Sequence, residues 1–334
     1  MQGWRTSMED AHAVRARARC RAAPERPAAG CALTRRLVRF FSQALLELDP
    51  SSRAAYFAVF DGHGGKEVAK YCAAHLHTAF AAHPAFAAGQ VEDALVASFM
   101  QMDTQIVTDV GRRLLAGYAE EGLAQGDGNS ARDRALLAGD EMDDDGTGMH
   151  AGPSAGCTSV VAVLKGSMLY VANAGDSRAV LCRAGVAQDL SIDHKPTLDG
   201  EKARILAAGG FVADGRVKGS LALSRAIGDM EFKQANNLPP EQQMVTALPE
   251  VQSVRLSAGD EFLILACDGI WDVMTSQQAV DFVRRQLEAG ASPSAVCEAL
   301  CDHCCARDTR GSGLGCDNMS VIVVQFKAQA LAAH

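Results

Sequence analysis

Three apolar segments of this sequence each lead into a carboxylate, a pattern that could build a cation site. The segments are 56–60, which ends at Asp61, 169–174, which leads through Gly175 to Asp176, and 262–267, which ends at Asp268. A buried strand that ends in an acid brings that charge to the rim of the core, where it needs a partner. Taken singly, Asp61-Gly62 or Asp268-Gly269 could simply be a hairpin turn. Repetition of the pattern favours several carboxylates at one end of a sheet assembly.

Seven acids are candidates for this site: Glu9, Asp10, Asp61, Asp176, Asp268, Asp272 and Asp317. Carboxylates a few ångströms apart cannot all ionise at neutral pH. One or two divalent cations would remove the repulsion, and oxygen-only ligands favour Mg²⁺ or Mn²⁺ over Zn²⁺. Two such ions could activate a water and clamp a phosphoryl group during in-line attack.

Two basic side chains lie inside these acidic motifs. His63 follows Asp61 by two residues and could protonate a leaving alkoxide. Arg5 offers the planar fork that binds phosphate oxygens. The sequence therefore predicts phosphoryl chemistry, with His63 and Arg5 as catalytic residues beside the metal ligand Asp61.

Composition narrows the class of protein. The chain has 334 residues and a net charge of −8, which argues against a general nucleic-acid-binding surface. No apolar run is long enough for a membrane span, and no secretory signal follows Met1. Eleven cysteines, mostly in apolar segments, fit buried thiols in a reducing compartment. We therefore expect an intracellular protein, cytoplasmic and/or nuclear.

Hydrophobic periodicity predicts the elements that must position these residues. The predicted helices are 33–48, 66–83, 91–115, 199–208, 276–288 and 293–306. The predicted strands are 56–60, 160–164, 168–174, 178–182, 261–267 and 319–326, the second to fourth forming an antiparallel meander. Such a grouping favours α+β layering, with stacked sheets covered by helices, over a parallel sheet.

Two stretches have the composition of solvated insertions. Residues 15–30 are rich in arginine, proline and alanine, which fits a disordered segment better than a basic partner-binding arm. Residues 120–145 contain nine acids and two arginines, a net charge of −7. We expect this acidic tract to bind basic partners.

Seven motifs together resemble the metal-dependent type 2C Ser/Thr protein phosphatases. They are Arg5-x-x-Met8-Glu9-Asp10, Phe57–Gly65, Val171–Arg178, Asp193–Pro196, Leu223–Asp229, Ala266–Asp272 and Asp317–Ser320, in the order in which that family has them. The segment Leu238–Pro249 and the acidic insertion look most like the gamma branch.

The resemblance implies a fold and an organisation. The fold would be a four-layer αββα sandwich, in which two antiparallel β-sheets are flanked by helix pairs and a metal cleft lies at one end. One catalytic domain would cover residues 1–327, with insertions at about 15–48 and 117–152 and a tail at 328–334. It would act on phosphoprotein substrates. We also expect the protein to be a monomer.

The resemblance also implies the role of each site residue. Asp61 would bridge two metals, the carbonyl of Gly62 would bind the second, and Asp268 and Asp317 would bind the first. Glu9 and Asp10 would act through metal-bound waters. Asp176 would serve a third, weaker site, with Asp272 close to it. Arg5 would hold substrate phosphate, His63 would be the general acid, and residues 213–235 would form a flap over the cleft.

Two alternatives carry other chemistry. His303-Cys304 followed by Arg310 has the bare spacing of a cysteine-dependent phosphatase, but that cysteine lies in a predicted helix and Asp308 would repel phosphate. A catalytically inactive scaffold that only binds partners should have lost metal ligands, and every ligand position here is filled. Loss of activity in chelator would distinguish the carboxylate site from the thiol.

Overall fold

A computed structural model describes residues 42–45, 48, 54–123, 152–306 and 313–326. Within these ranges the strands are β1 (Ser42–Leu45), β2 (Ala54–His63), β3 (Gly156–Lys165), β4 (Met168–Ala174), β5 (Arg178–Arg183), β6 (Val186–Asp189), β7 (Val212–Ala213), β8 (Arg216–Val217), β9 (Ile227–Gly228), β10 (Glu250–Arg255), β11 (Asp260–Ala266) and β12 (Val321–Gln325). The α-helices are α1 (Glu67–Ala82), α2 (Pro84–Ala87), α3 (Val91–Ile106), α4 (Asp109–Leu123), α5 (Asp199–Ala207), α6 (Asp268–Trp271), α7 (Ser276–Glu288) and α8 (Pro293–Cys304). Short 3₁₀ helices occur at Met230–Phe232 and Pro240–Gln242.

The strands form two main antiparallel sheets. The first has the order β1-β2-β3-β4-β10, with β9 also paired to β3. The second has the order β12-β11-β5-β6, and β7 and β8 form a separate hairpin. Every pairing between these strands is antiparallel.

The residues of β2 show how the layers are stacked. Tyr56, Ala58 and Phe60 belong to a core shared with α1 and α3. Phe57 and Val59 point the other way, into a core that contains Leu263 and other residues of the second sheet. This alternation follows from the two-residue period of a strand, and both faces are covered, so the run is apolar throughout.

The outer face of the second sheet is covered in the same manner. Ile264 of β11 packs in a core with residues of α7 and α8, including Val283 and Leu300. Helices therefore lie outside both sheets, which confirms the predicted four-layer αββα sandwich. Among the helices that the structure describes, none has both the length and the apolar character needed to cross a membrane.

The helix predicted over residues 33–48 is wrong for Ser42–Leu45. These residues form β1, which pairs with β2 from Ser42 opposite Val59 to Leu45 opposite Tyr56. Helical periodicity over so short a segment is a weak signal, and the edge of the first sheet offers hydrogen bonds that override it. Residues 33–41, like the arginine-rich segment at 15–30, lie outside the described residues.

The single helix predicted over 91–115 is two helices. α3 ends at Ile106, and the hydroxyl of Thr108 accepts a hydrogen bond from the Gly111 N–H at 3.1 Å at the start of α4. A Cβ on Gly111 would collide with the carbonyl of Gln105, so glycine allows the close turn. α4 continues to Leu123, into the predicted acidic insertion, and residues 124–151 lie outside the described ranges.

The predicted three-stranded meander is correct for β3 and β4 but wrong for β5. β5 pairs with β11 and β6 in the second sheet. The crossing occurs at Gly175, whose φ of +125° is left-handed and whose Cα lies against Thr158, so that a Cβ would collide there. The Asn173 amide stabilises the turn by donating to the carbonyls of Gly175 and Ile192 at 3.1 and 3.0 Å. The remaining predicted helices and strands are confirmed within a few residues.

Candidate active site

Asp61 and Asp268 come from different sheets and meet where the two sheets end. Asp61 lies near the end of β2, and Asp268 opens α6 directly after β11. One ligand atom from each of Asp61, Cys267 and Asp268 lies within 4.8 Å of the others. The buried strands behind them are packed on both faces, so the carboxylates are held on a rigid scaffold.

The electrostatics of Asp268 show that further acids surround it. Its pKa is raised to about 8, by burial first and then by the charges of Asp176, Asp317 and Asp272. Lys195 opposes these effects. The structure therefore brings together five of the seven acids that the sequence proposed: Asp61, Asp176, Asp268, Asp272 and Asp317. Burial, with Asp176 and Asp317, also raises the pKa of Asp272.

This donor set fits hard divalent cations. Carboxylate oxygens predominate, and mutual repulsion makes full ionisation unfavourable unless positive charge is added. Cys267 is the one soft donor in the group, but its sulfur accepts a hydrogen bond from the Ser320 N–H at 3.1 Å. The Cys267 side chain therefore has a packing role against the segment that contains Ser320, in addition to lying near the acids.

Close backbone packing brings Asp317 to this position. The Cys267 N–H donates to the Ser320 carbonyl at 3.1 Å, joining β11 to the segment before β12. A Cβ on Gly269 would collide with the Asn318 carbonyl, so α6 can approach this segment only with glycine there. The carboxylate of Asp317 accepts a hydrogen bond from the Asn318 N–H at 2.7 Å, which orients it.

Lys195 is a site residue beyond those that the sequence predicts. Its ammonium lies 2.5 Å from the buried carboxylate of Asp176. Nearby, Arg178 makes a two-pronged contact with Asp193 at 2.9 and 2.8 Å. Lys195 lies within the motif Asp193–Pro196, and this motif is the sequence feature that could have identified it. Its partner, Asp176, could not be identified from the sequence.

Asp229 is a second residue that was missed. It ends the motif Leu223–Asp229, and its carboxylate accepts a hydrogen bond from Nε2 of His63 at 2.7 Å. His63 is thus placed beside Asp61 by β2 and held by a residue 166 positions later in the chain. Gly62 is buried on β2 opposite Cys157. Arg5, Glu9 and Asp10 lie outside the described residues, and their roles stay predictions.

The thiol alternative finds no support in the surroundings of Cys304. Its side chain is buried in the core beneath α7 and α8, and burial raises its pKa to about 11. A nucleophilic cysteine needs a lowered pKa so that the thiolate is present near neutral pH. The neighbouring Cys301 is also buried in that core, as expected for a helix face of packed thiols.

A buried ionic network holds the segment 213–235 against α5. The carboxylate of Glu201 accepts hydrogen bonds from Ser224 at 2.6 Å and from Arg225 at 2.7 and 3.0 Å, and Arg204 lies 2.8 Å away. Burial alone would raise the pKa of Glu201, but Arg225, Arg204 and Ser224 together lower it to about 2. At the far end of the segment, Asp214 and Gly215, both with positive φ, form the two-residue turn of the β7–β8 hairpin.

Replacing Glu201 by glutamine is expected to destabilise the protein by about 3 kcal/mol near neutral pH, because the half-buried Arg204 and Arg225 lose their counter-charge. The folded-state pKa lies below the ordinary value of 4.5, so this stabilisation is present above 4.5 and lost as the pH falls through about 2. Urea unfolding of both proteins should show the difference narrowing between about pH 7 and pH 3. A difference that stays constant with pH would contradict this role.

Comparisons with known proteins agree with this geometry. The family model described as "Protein phosphatase 2C" matches residues 1–313. The chain is 46% identical over 341 residues to "Probable protein phosphatase 2C 60" of Arabidopsis thaliana, covering 98% of this chain and 85% of the relative. It is 44% identical over 327 residues to "Protein phosphatase 2C homolog 2" of Schizosaccharomyces pombe, covering 98% and 71%.

Solved structures show the same fold. A phosphatase from a pathogenic strain of Toxoplasma gondii superposes with a TM-score of 0.66 at 24% identity, covering 98% of this chain and 91% of that one. A serine-threonine phosphatase 2C from Toxoplasma gondii has a TM-score of 0.64 at 21% identity, covering 97% and 92%. The family model and the relatives, which name no branch within the family, show that this chain belongs to the protein phosphatase 2C family of metal-dependent serine/threonine phosphatases.

Proposed function

We propose that the carboxylate cluster at the sheet ends is where this phosphatase hydrolyses phosphoserine and phosphothreonine in proteins. The observation that carries the proposal is the meeting of Asp61 and Asp268, from different sheets, within 4.8 Å. Nothing about packing alone requires two acids there, and the pKa of Asp268 is raised by its burial and by the charges of Asp176, Asp317 and Asp272.

The acids divide into three groups in this proposal. Asp61, Asp268, Asp317 and the Gly62 carbonyl would hold two ions, Asp176 and Asp272 would serve a third and weaker site, and Glu9 and Asp10 would act through metal-bound water. We propose Mg²⁺ or Mn²⁺, because the donors are oxygens. When bound, such ions lower the pKa of a water nucleophile and neutralise phosphoryl oxygens.

The remaining residues bind the substrate and move a proton. Arg5 grips the phosphoryl oxygens with its guanidinium, and His63 gives a proton to the serine or threonine oxygen as it leaves. Lys195, paired with Asp176, adds positive charge beside the acids and limits their repulsion. The flap at residues 213–235 is held by Glu201 and shapes access to the cleft.

A metal titration on a phosphothreonine peptide tests this function. We expect chelator to remove essentially all turnover, and Mg²⁺ or Mn²⁺ to restore it, while thiol-blocking reagents at a matched concentration have little effect. Thermal unfolding of the same samples gives a second measurement, since ion binding to the folded state should raise the unfolding temperature. Turnover that persists in chelator would contradict the proposal.

Wider features of the protein are also proposed. The nine cysteines within the described ranges are all free thiols, which supports an intracellular location, cytoplasmic and/or nuclear. We propose a monomer, which light scattering would check. The acidic tract at 120–145 is proposed to bind basic partners, and a deletion that leaves partner binding unchanged would exclude that role.

A further inference from the structure

We propose that Asp229 is a positioning residue that holds His63 in the orientation from which it protonates the leaving oxygen. The inference rests on the proposed general-acid role of His63 and adds to it a residue from a distant part of the chain. Asp229 would touch neither the substrate nor the ions, and would act only through the imidazole.

The His63–Asp229 contact has the geometry of an orienting pair. Nε2 of His63 lies 2.7 Å from Oδ2 of Asp229, whose side chain is 2% exposed, whereas that of His63 is 26% exposed. In this proposal Nε2 donates the hydrogen bond and the Asp229 carboxylate accepts it. The pair therefore assigns the transferred proton to Nδ1, the other ring nitrogen.

The backbone around Asp229 is built for this placement. Asp229 has a φ of +52°, a left-handed conformation that costs energy for any residue with a Cβ. The preceding Gly228 has a φ of +89°, and the Asp229 N–H donates to the Ala155 carbonyl at 3.1 Å. Strain of this kind persists where the surrounding structure enforces it, commonly at functional sites.

A buried ion pair enforces it from the helical layer. The carboxylate of Asp103 on α3 accepts a hydrogen bond from the Gly228 N–H at 2.8 Å and from the Lys233 ammonium at 2.7 Å. These two residues flank Asp229 on either side in the chain. Asp103 thus fixes the residues on both sides of Asp229 to α3, a helix that packs on the first sheet.

Gly156 leaves the space that the pair occupies. A Cβ at this position would collide with both Nε2 of His63 and Oδ2 of Asp229. Gly156 also pairs with Gly228 and with His63 across β3. The ends of β2 and β9 therefore both pair with Gly156, whose missing side chain leaves room for the His63–Asp229 hydrogen bond.

The proton balance of the step is simple. As the water oxygen bonds to phosphorus and the bond from phosphorus to the serine or threonine oxygen breaks, the Nδ1 proton of the imidazolium moves to that oxygen. Nε2 keeps its proton and its bond to Asp229. The neutral ring then takes a proton from solvent, and the products are the hydroxyl side chain and inorganic phosphate.

Asp229→Asn is the sharpest test. Asparagine has the same shape and tolerates the left-handed conformation, so the turn is kept while the charge that orients the ring is lost. We expect cleavage of a phosphothreonine peptide to fall about tenfold and cleavage of an aryl phosphate less than about twofold, because an aryl leaving group scarcely needs a proton. Both rates are measured on one sample, so their ratio does not depend on the folded fraction.

Asp260→Asn is the matched control. Asp260 is, like Asp229, a buried acid, but its partner is Arg183 and it lies at the start of β11 rather than at the cleft. Its replacement should leave the ratio of the two rates unchanged. Gly156→Ala should reproduce the unequal loss seen with Asp229→Asn, because the added methyl group displaces the pair.

Combining Asp229→Asn with His63→Ala separates the possible outcomes. If Asp229 acts through His63, the double variant should be no slower on the peptide than His63→Ala alone. Equal losses on both substrates for His63→Ala would overturn the general-acid role and this inference together. An unequal loss for His63→Ala with no change of ratio for Asp229→Asn would overturn the inference alone.

A spectroscopic measurement tests the pair without turnover. In chelator-treated protein, the ¹⁵N resonances of the His63 ring, assigned by their loss in His63→Ala, should show a proton on Nε2. Asp229→Asn should shift them towards a mixture of tautomers. A ring that carries its proton on Nδ1 in the unsubstituted protein would contradict the assignment.

Discussion

Asp268→Asn is expected to abolish turnover while making the metal-free protein more stable. The substitution removes a carboxylate that no other described residue can replace at the start of α6, so we expect a loss of at least about 10³-fold in turnover. Asp61→Ala, which removes a carboxylate from the other sheet, should cause a similar loss of turnover. Near-normal rates in either variant would contradict the proposed site.

The stability gain follows from the pKa of Asp268. Its folded-state pKa of about 8 lies above the ordinary value of 3.8, so the folded protein binds this proton more tightly than the unfolded chain does. The carboxylate therefore lowers stability progressively as the pH rises from about 4 to about 8. Asparagine removes that penalty, on the order of 5 kcal/mol at the upper end of the range.

Thermal unfolding in chelator should show this directly. The unfolding temperature of Asp268→Asn should exceed that of the unsubstituted protein at about pH 8, with a smaller difference at about pH 5. Asp109→Asn is a suitable control, since Asp109 also opens a helix but is exposed in the helical layer. It should change neither turnover nor the pH dependence. A less stable Asp268→Asn protein at about pH 8 would contradict the electrostatic description of the site.

His63→Ala is expected to lower cleavage of a phosphothreonine peptide by about 10²-fold. An alkoxide is a poor leaving group and needs a proton as the bond to phosphorus breaks. An aryl oxide leaves readily, so hydrolysis of an aryl phosphate should fall only a few-fold. Steady-state rates on both substrates at saturating metal ion measure the difference.

His303→Ala provides the control for this experiment. His303 lies on α8 and its ring stacks on Phe282 with centroids 5.0 Å apart, away from the sheet ends. Its loss should leave the ratio of the two rates unchanged. If His63→Ala slowed both substrates equally, the histidine would be acting in some way other than as the acid for the leaving group.

Much of the candidate site could be predicted from local sequence. Asp61 and Asp268 each follow a run of apolar residues, and such runs were recognisable because both faces of the central strands are covered. The residue types then indicate metal ions, because carboxylates that cluster without a compensating positive charge need a bound cation. His63 was noticed because it lies beside Asp61 in the chain.

The errors arose where the outcome depends on distant partners. The apolar spacing around Ser42–Leu45 predicts a helix, but this segment pairs with β2 as a strand. The short glycine turn between β4 and β5 predicts that these strands are neighbours, yet at Gly175 the chain crosses to the other sheet. Local periodicity describes which residues are buried and contains little information about which strand is the neighbour.

The amino-acid sequence alone determined the acids, their order along the chain and the strands that carry them, because these depend on residue type and on short-range periodicity. Only the tertiary structure decided which side chains meet. Lys195 pairs with Asp176, and His63 with Asp229, across separations of 19 and 166 residues. Such contacts are set by the packing of two sheets and their helices, since hydrogen bonds and ion pairs form between groups that folding brings within about 3 Å.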